Sequence, residues 1–474
     1  MGNEEILDLS IHELKEAYLN KRVSPVEVTE SALTRIRRLN GDLKAFITVT
    51  DDIAMKQAKK AEEEMARGID RGMLHGVPIA LKDLYDTAGI LTTGGSPIFQ
   101  DNFPDTDATT VSKLHESGTV LLGKTNLHEF ATGSTSDNAT YGTCRNAWDR
   151  ERIPGGSSGG SGVAVATGMA FMAMGSDTGG SIRSPAALNG VVGFKPTYGL
   201  VSRAGVMGLS WSMDHAGPLT KTVKDAAHSI QVLAGYDPKD PTSVDMKLPD
   251  FASELEKGLK GLRVGIPREY FFQECTEEVA GMVYEAISVL EKLGAEVREV
   301  SIPHAELAPP SHFAVILSEA AVVHKRLLRD RIDEYDRDVG GRLLAGSLIS
   351  AEMYHKAQRV RSLIDREVKA AMKEVDLLVT ANNPITAPRI GQELVNIRGR
   401  DVWVMSLMSR LIHIHNCTGV PAITVPCGFA SDGMPVGLHL AGRLYEDSTV
   451  LRAAHGYEQA TSWHTKRPPV ITSK

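Results

Sequence analysis

The apolar positions of this 474-residue chain change rhythm twice. From about residue 10 to 70 they recur at helical spacing. Ser24-Pro25-Val26-Glu27 forms a capping box with proline at the first helical position, opening an amphipathic run to about Asn40. A second helix is predicted over about 51–67, stopped at Gly68, where glycine is the usual terminator. The apolar run 77–81 then reads as a buried strand that ends on Lys82. Between Gly133 and Gly217 the pattern loosens, and 17 of the chain's 44 glycines fall there. That density predicts loops in which backbone approaches a ligand or takes positive φ. After about Val223, strand-like and helix-like segments alternate. Strands are predicted at 262–266, 295–300, 376–380, 422–425 and 436–440. Helices are predicted at 277–293, in charged segments across 315–375, and at 447–461. With no repeat and no linker-like segment, this alternation predicts an α/β fold, one sheet covered on both faces by helices.

Composition narrows the class. A chain of this length can bury a large core without staples. A formal net charge of −7 argues against a general nucleic-acid or anionic-membrane binder. Cys144, Cys275, Cys417 and Cys427 form neither a disulfide framework nor a CxxC pair, which predicts a reducing, cytoplasmic setting. The start, Met1-Gly2-Asn3-Glu4-Glu5-Ile6, is acidic and lacks a leader's basic and apolar regions. Ile6 also breaks the myristoylation pattern, and no apolar run approaches membrane-spanning length.

Three separated pieces carry candidate chemistry: Gly76-Val-Pro-Ile-Ala-Leu-Lys82-Asp83, Pro154-Gly-Gly-Ser157-Ser-Gly-Gly-Ser161 and Gly175-Ser-Asp-Thr-Gly-Gly-Ser181-Ile-Arg183. Amide hydrolysis needs a nucleophile, a group that takes and returns a proton, and donors for the tetrahedral oxyanion. Ser181 follows two glycines, so the turn can aim the N–H groups of Thr178, Gly179, Gly180 and Ser181 at one anion. Taken alone, such a turn is also a tight loop with a solvated serine, and Ser157 alone is a serine in a flexible loop. Lys82 alone could be a strand-end lysine reaching water. A desolvated Lys82 would instead be a base, since lowering an amine's pKa from about 10.4 to about 7 takes roughly 4–5 kcal/mol.

In this order and spacing the three pieces resemble the amidase signature family. The resemblance runs from the N-terminal helices to the region of Trp463. It implies a large mixed, twisted β-sheet wrapped by helices in a single unit, 1–474. Within it, 1–70 would be N-terminal helices, 76–220 the catalytic core and about 310–400 a helical substrate-specificity region. It implies Ser181 as nucleophile, Lys82 as base and Ser157 as the relay between them, after a cis Gly156–Ser157 peptide. Ser158, Asp177 and Arg183 would brace the site, Arg183 structurally rather than through substrate, and Gly133 and Ser134 would line the acyl-side rim. Neither cofactor nor metal is implied. The implied partner is a small-molecule amide, with no membrane, and a homodimer stays open.

The family includes free-standing amidases and the A subunit of the glutamyl-tRNA(Gln) amidotransferase, a glutaminase in a tRNA-binding complex. Across 76–200 the chain resembles that glutaminase, but it carries His215 where the glutaminase usually has glutamine, and Ser409 near the position of an acid suited to glutamine's ammonium. Trp463-His464 also resembles the free-standing enzymes. These departures favour a free amidase, with the glutaminase of the complex, and hence nucleic acid, as the alternative.

Rival motifs point elsewhere. Gly118-Thr-Val-Leu-Leu-Gly123-Lys124-Thr125 matches the P-loop string, but strand character lies inside the would-be loop and a helical segment precedes it. Gly155-Gly-Ser157-Ser-Gly159 matches the nucleophile elbow of α/β-hydrolases, yet the charged segment 149–154 precedes it instead of a buried strand. The 15 histidines show no paired metal-ligand spacing and are expected at the surface or in the core. A non-catalytic binding protein on the same scaffold is disfavoured by the presence of Lys82, Ser157 and Ser181 together.

Overall fold

The computed structural model describes residues 3–471. Met1, Gly2 and the last three residues, included in the expected unit 1–474 and in the reading of the N-terminus, lie outside the described residues. Thirteen strands run through the described residues. They are β1 (Phe46–Val49), β2 (Pro78–Lys82), β3 (Val120–Thr125), β4 (Met172–Asp177), β5 (Val192–Lys195), β6 (His215–Thr220) and β7 (Arg263–Pro267). There follow β8 (Glu296–Val300), β9 (Leu377–Ala381), β10 (Leu394–Ile397), β11 (Arg400–Trp403), β12 (Ala422–Phe429) and β13 (Pro435–Gly442). Eleven form one sheet in the order β1-β3-β2-β4-β6-β5-β12-β13-β9-β7-β8, and β10–β11 stand apart as a hairpin. The sheet is mixed: β2 runs parallel to β3 and β4, whereas β4 is antiparallel to β6 and β12 to β13. Every residue of β2, β3, β4 and β6 is buried, as expected for strands sandwiched between helices.

The N-terminal caps form as the sequence predicts. The Ser24 side chain accepts from the Glu27 N–H, and the Glu27 carboxylate accepts the Ser24 N–H at 2.8 Å, opening the helix Pro25–Leu43. The next helix is Asp51–Ala66. Between them lies β1, an edge strand antiparallel to β3 that helical periodicity hid, because four residues hold only two turns of alternation. The strands β4, β5 and β6 also escaped the pattern. They contain glycine and proline and are buried on both faces, so neither propensity nor alternation marks them.

The P-loop string is the turn before β3 followed by β3 itself. Lys124 is buried, donates to the Tyr85 carbonyl at 2.8 Å and Thr92 Oγ1 at 2.6 Å, and lies 3.3 Å from Asp83. No phosphate could reach it there. Gly123 has φ +151°, and a Cβ on it would sit 2.1 Å from the Thr48 carbonyl oxygen of β1. Among the described residues, no helix is long and apolar enough to cross a membrane.

Four helices, Ala308–Val323, Lys325–Arg331, Arg337–Ser347 and Ala351–Glu374, form the helical region. An apolar cluster of its own, including Leu84, Phe130, Leu209, Ala320 and Leu343, ties this region to the loops after β2 and β3. The loop after β3 carries Ser157.

Gly123→Ala must push β1 away from β3. The expected cost is about 1–3 kcal/mol, read as a lower urea midpoint with an unchanged slope; an unshifted midpoint would show that the edge strand yields freely.

Candidate active site

Lys82 is the last residue of β2 and is fully buried. Its Nζ donates to Ser157 Oγ at 2.7 Å and to Ser176 Oγ at 2.8 Å. Burial pushes its pKa down to about 7, and the carboxylates of Asp177 and Asp214 pull only partly the other way. Ser157 lies in the loop before the helix Gly159–Ala166, and the Gly156–Ser157 peptide is cis. Ser136, which sequence reasoning passed over, pins this loop by donating to the Gly155 carbonyl at 2.9 Å while accepting the Gly159 N–H at 3.0 Å. With Ser157 fully buried against Lys82, no exposed nucleophile elbow forms there.

The second loop leaves β4 at Asp177. Burial works against the Asp177 charge, but Arg183 above all, with Lys195 and Asn416, holds its carboxyl far below the usual carboxylate range. Arg183, equally buried, reaches it with Nε and Nη2, each at 3.0 Å. Asn416 donates to Asp177 Oδ1 at 2.9 Å and accepts from Arg183 Nη2 at 2.7 Å. The carboxylate also accepts the N–H of Ile182 at 3.1 Å and of Gly180 at 2.7 Å. This corrects the expected set of four oxyanion donors. The Gly180 N–H is committed to Asp177, whereas those of Thr178, Gly179 and Ser181 have no protein acceptor among the described residues. Ser158 ties the two loops together: its N–H donates to the Ser181 carbonyl at 3.3 Å, and its hydroxyl accepts the Ser176 N–H at 3.3 Å.

Ser181 is partly exposed and faces a cavity of about 110 Å³. Gly133 and Ser134 line it, as do Phe313, Ile316 and Leu317 of the helical region and Met405. The helical contribution to the lining stops at Arg342; the long helix Ala351–Glu374 stays out of it, while Met405, Ser409 and His413 join it. Among the described residues, no carboxylate lines this cavity, and Arg342 is its only charged side chain. A second cavity, about 300 Å³, shares Ala131, Thr178 and Leu209 with the first and reaches Ser176.

Two of the departures weighed in the sequence have other roles. His215 lies behind the Ser181 loop, its Nδ1 bonding the Met213 carbonyl at 2.6 Å and the Asp177 carbonyl at 3.1 Å. Trp463 packs near Phe429, with ring centroids 6.3 Å apart, and does not line the cavity. Sequence reasoning missed Asn416, His312 and His413. Asn416 and His413 stand in a cluster of polar side chains within the otherwise apolar stretch 411–425, whereas His312 has no such local signal.

The amidase family profile matches residues 27–451, so the chain belongs to the amidase signature family. It is 41% identical to the A subunit of the glutamyl-tRNA(Gln) amidotransferase of Carboxydothermus hydrogenoformans, over 98% of this chain and 99% of that one. Among solved structures it is similar to a chain from a vestigial protein complex bearing on the origins of an s-triazine catabolic enzyme. That likeness has a TM-score of 0.91 at 34% identity, over 95% of this chain and 98% of the other. A bacterial aryl acylamidase superposes with a TM-score of 0.89 at 28% identity, over 98% and 99% of the two chains. As a member of this family the protein is an enzyme of amide hydrolysis.

Removing Arg183 strands a buried carboxylate. Arg183→Met is expected to cost about 3–5 kcal/mol in urea denaturation, and Asp177→Asn added to it should recover part of that loss. A cost below about 1 kcal/mol would mean that the pair is not what holds this loop.

Proposed function

We propose that the chain cleaves a carbon–nitrogen amide bond through an acyl-enzyme on Ser181, with Ser157 and Lys82 moving the proton. The observation that carries this reading is the 2.7 Å contact between Ser157 and a fully buried Lys82 whose pKa is about 7. Ser181 Oγ attacks the carbonyl carbon, and its proton passes to Ser157 Oγ as that hydroxyl gives its own to the neutral Lys82 amine. The oxyanion is held by N–H groups of the turn. Collapse breaks the C–N bond, and the proton returns by the same path to the leaving nitrogen. Water then attacks the ester by the reverse relay and releases the carboxylic acid. A non-catalytic binder has no need of a desolvated lysine in this position. Four buried, free cysteines support a reducing, cytoplasmic setting.

For the substrate, likeness along the whole chain to the glutaminase of the amidotransferase supports a glutaminase acting within such a complex more strongly than the free amidase favoured by the sequence departures. In that reading the partners include other subunits and tRNA. One feature keeps the free amidase as the second reading: the cavity offers apolar side chains and no carboxylate to meet an α-ammonium. We assign 310–342 and 405–413 as the segments that set specificity. Ammonia release from L-glutamine, measured beside butyramide and benzamide, separates the readings. Glutamine turned over at least about 100-fold faster, a difference of about 2.7 kcal/mol, supports the glutaminase; the reverse order supports the free amidase.

Quenched turnover of a slow ester should leave the acyl group on the Ser181 peptide; acylation of Ser157, surviving in Ser181→Ala, would overturn the assignment. Because only the neutral amine accepts a proton, kcat/KM should rise about tenfold per pH unit below about 7 and level off above it. Lys82→Ala should lower amide turnover by orders of magnitude and spare an activated ester, whose leaving group needs little protonation. Lys82→Arg should not rescue, since guanidinium stays protonated. Near-normal amide turnover in Lys82→Ala would end the Ser-Ser-Lys reading.

A further inference from the structure

The helical region supplies more than cavity wall. His312, on the helix Ala308–Val323, donates from Nε2 to the Thr178 carbonyl at 2.9 Å. A carbonyl only accepts, so this contact fixes the tautomer: Nε2 carries the hydrogen. The ring lies flat on His413, with centroids 4.1 Å apart and planes 7° from parallel, and Phe313 meets His413 edge-on at 5.2 Å. Neither Nδ1 atom of the pair has a hydrogen-bond partner, so the Thr178 carbonyl is the one polar anchor of His312 among the described residues. Burial pushes the His312 pKa down to about 4, so the ring is neutral and keeps that hydrogen at ordinary pH. The ring also presses on Gly179, where a Cβ would sit 2.6 Å from His312 Cε1.

The peptide before this one is held in the same way. The Asp177 carbonyl meets Asn416 Nδ2 at 3.0 Å and His215 Nδ1 at 3.1 Å. In a trans peptide the C=O and the next N–H lie in one plane and point in opposite directions. Clamping the Thr178 carbonyl therefore clamps the Gly179 N–H, one of the turn's uncommitted donors. Without the clamp, the Thr178–Gly179 peptide, with glycine on one side, has wide rotational freedom.

We infer that His312 is a positioning residue for the oxyanion hole, holding the Thr178–Gly179 peptide so that the Gly179 N–H meets the charge that develops when Ser181 attacks. The inference rests on Ser181 being the nucleophile. It makes the helical region part of the catalytic apparatus as well as of substrate selection.

A fluorophosphonate probe tests this without knowledge of the natural substrate. Ser181 displaces fluoride at phosphorus, the serine proton passes to the relay, and the new phosphoryl oxygen charge needs the same donors. Saturation kinetics separate the labelling rate constant from the probe's affinity. His312→Leu should lower the rate constant about 10- to 100-fold, somewhat less than loss of a direct donor, with affinity within about threefold. His312→Gln or His312→Asn, which restores an N–H donor, should recover most of that loss. His312→Met is a second donor-free variant if Leu does not fold, and unchanged circular dichroism and melting confirm the fold of whichever is used. The inference is overturned if a folded donor-free variant keeps its rate constant within about threefold, if only affinity changes, or if neither donor-bearing variant outperforms it. Ser181→Ala, run in parallel, should not label. If it labels as well as the parent, the nucleophile assignment fails, whatever the His312 series shows.

Discussion

The buried contact between Asp177 and Arg183 is what the rest of the site depends on. Two opposite charges, both withdrawn from water, are costly unless every donor and acceptor is used. Here the carboxylate takes hydrogen bonds from the guanidinium, from Asn416 and from the N–H groups of Gly180 and Ile182. Those bonds pull the chain after β4 into a tight turn and commit the Gly180 and Ile182 amides, which leaves those of Thr178, Gly179 and Ser181 without a protein acceptor among the described residues. The pair thus shapes the turn that carries Ser181.

Lys82 is placed by an opposite logic. It has no carboxylate in contact, and its two neighbours are hydroxyls. The sheet buries it where a charged ammonium is disfavoured, while Asp177, already neutralised by Arg183, lends only a distant attraction. A close acid would hold the amine protonated and useless as a base. The same residue, Asp177, can therefore anchor the Ser181 turn and still leave the lysine with a lowered pKa. Pairing one charge and starving another of partners is how a single fold obtains both rigidity and a reactive amine.

Much of this was legible in the chain. The glycine-serine pieces and the strand-end lysine stood at positions where the fold does bring Lys82 and Ser157 into contact and places Ser158, Asp177 and Arg183 around Ser181. Long helices and the later strands followed from periodicity and caps. Less legible were β4, β5 and β6, whose glycines and prolines contradict strand propensity because burial on both faces dictates them. Hidden too was the competition for the Gly180 N–H: the turn sequence promised four donors, but only three-dimensional placement of the Asp177 carboxylate shows one already taken. His312 and Asn416 were out of reach for another reason. Each acts across more than a hundred residues of chain, and a lone histidine or asparagine carries no local mark of its distant partner.

That separation has a bearing on how the protein comes into being. Asp177 and Arg183 emerge together during synthesis, yet Asn416, which completes their bonding, lies 233 residues beyond Arg183. A chain made from its N-terminus holds Lys82, Ser157 and Ser181 long before the segment that shapes their surroundings exists. The half-made protein therefore holds a buried ion pair short of one partner, and the turn is fully bonded only when the final third docks.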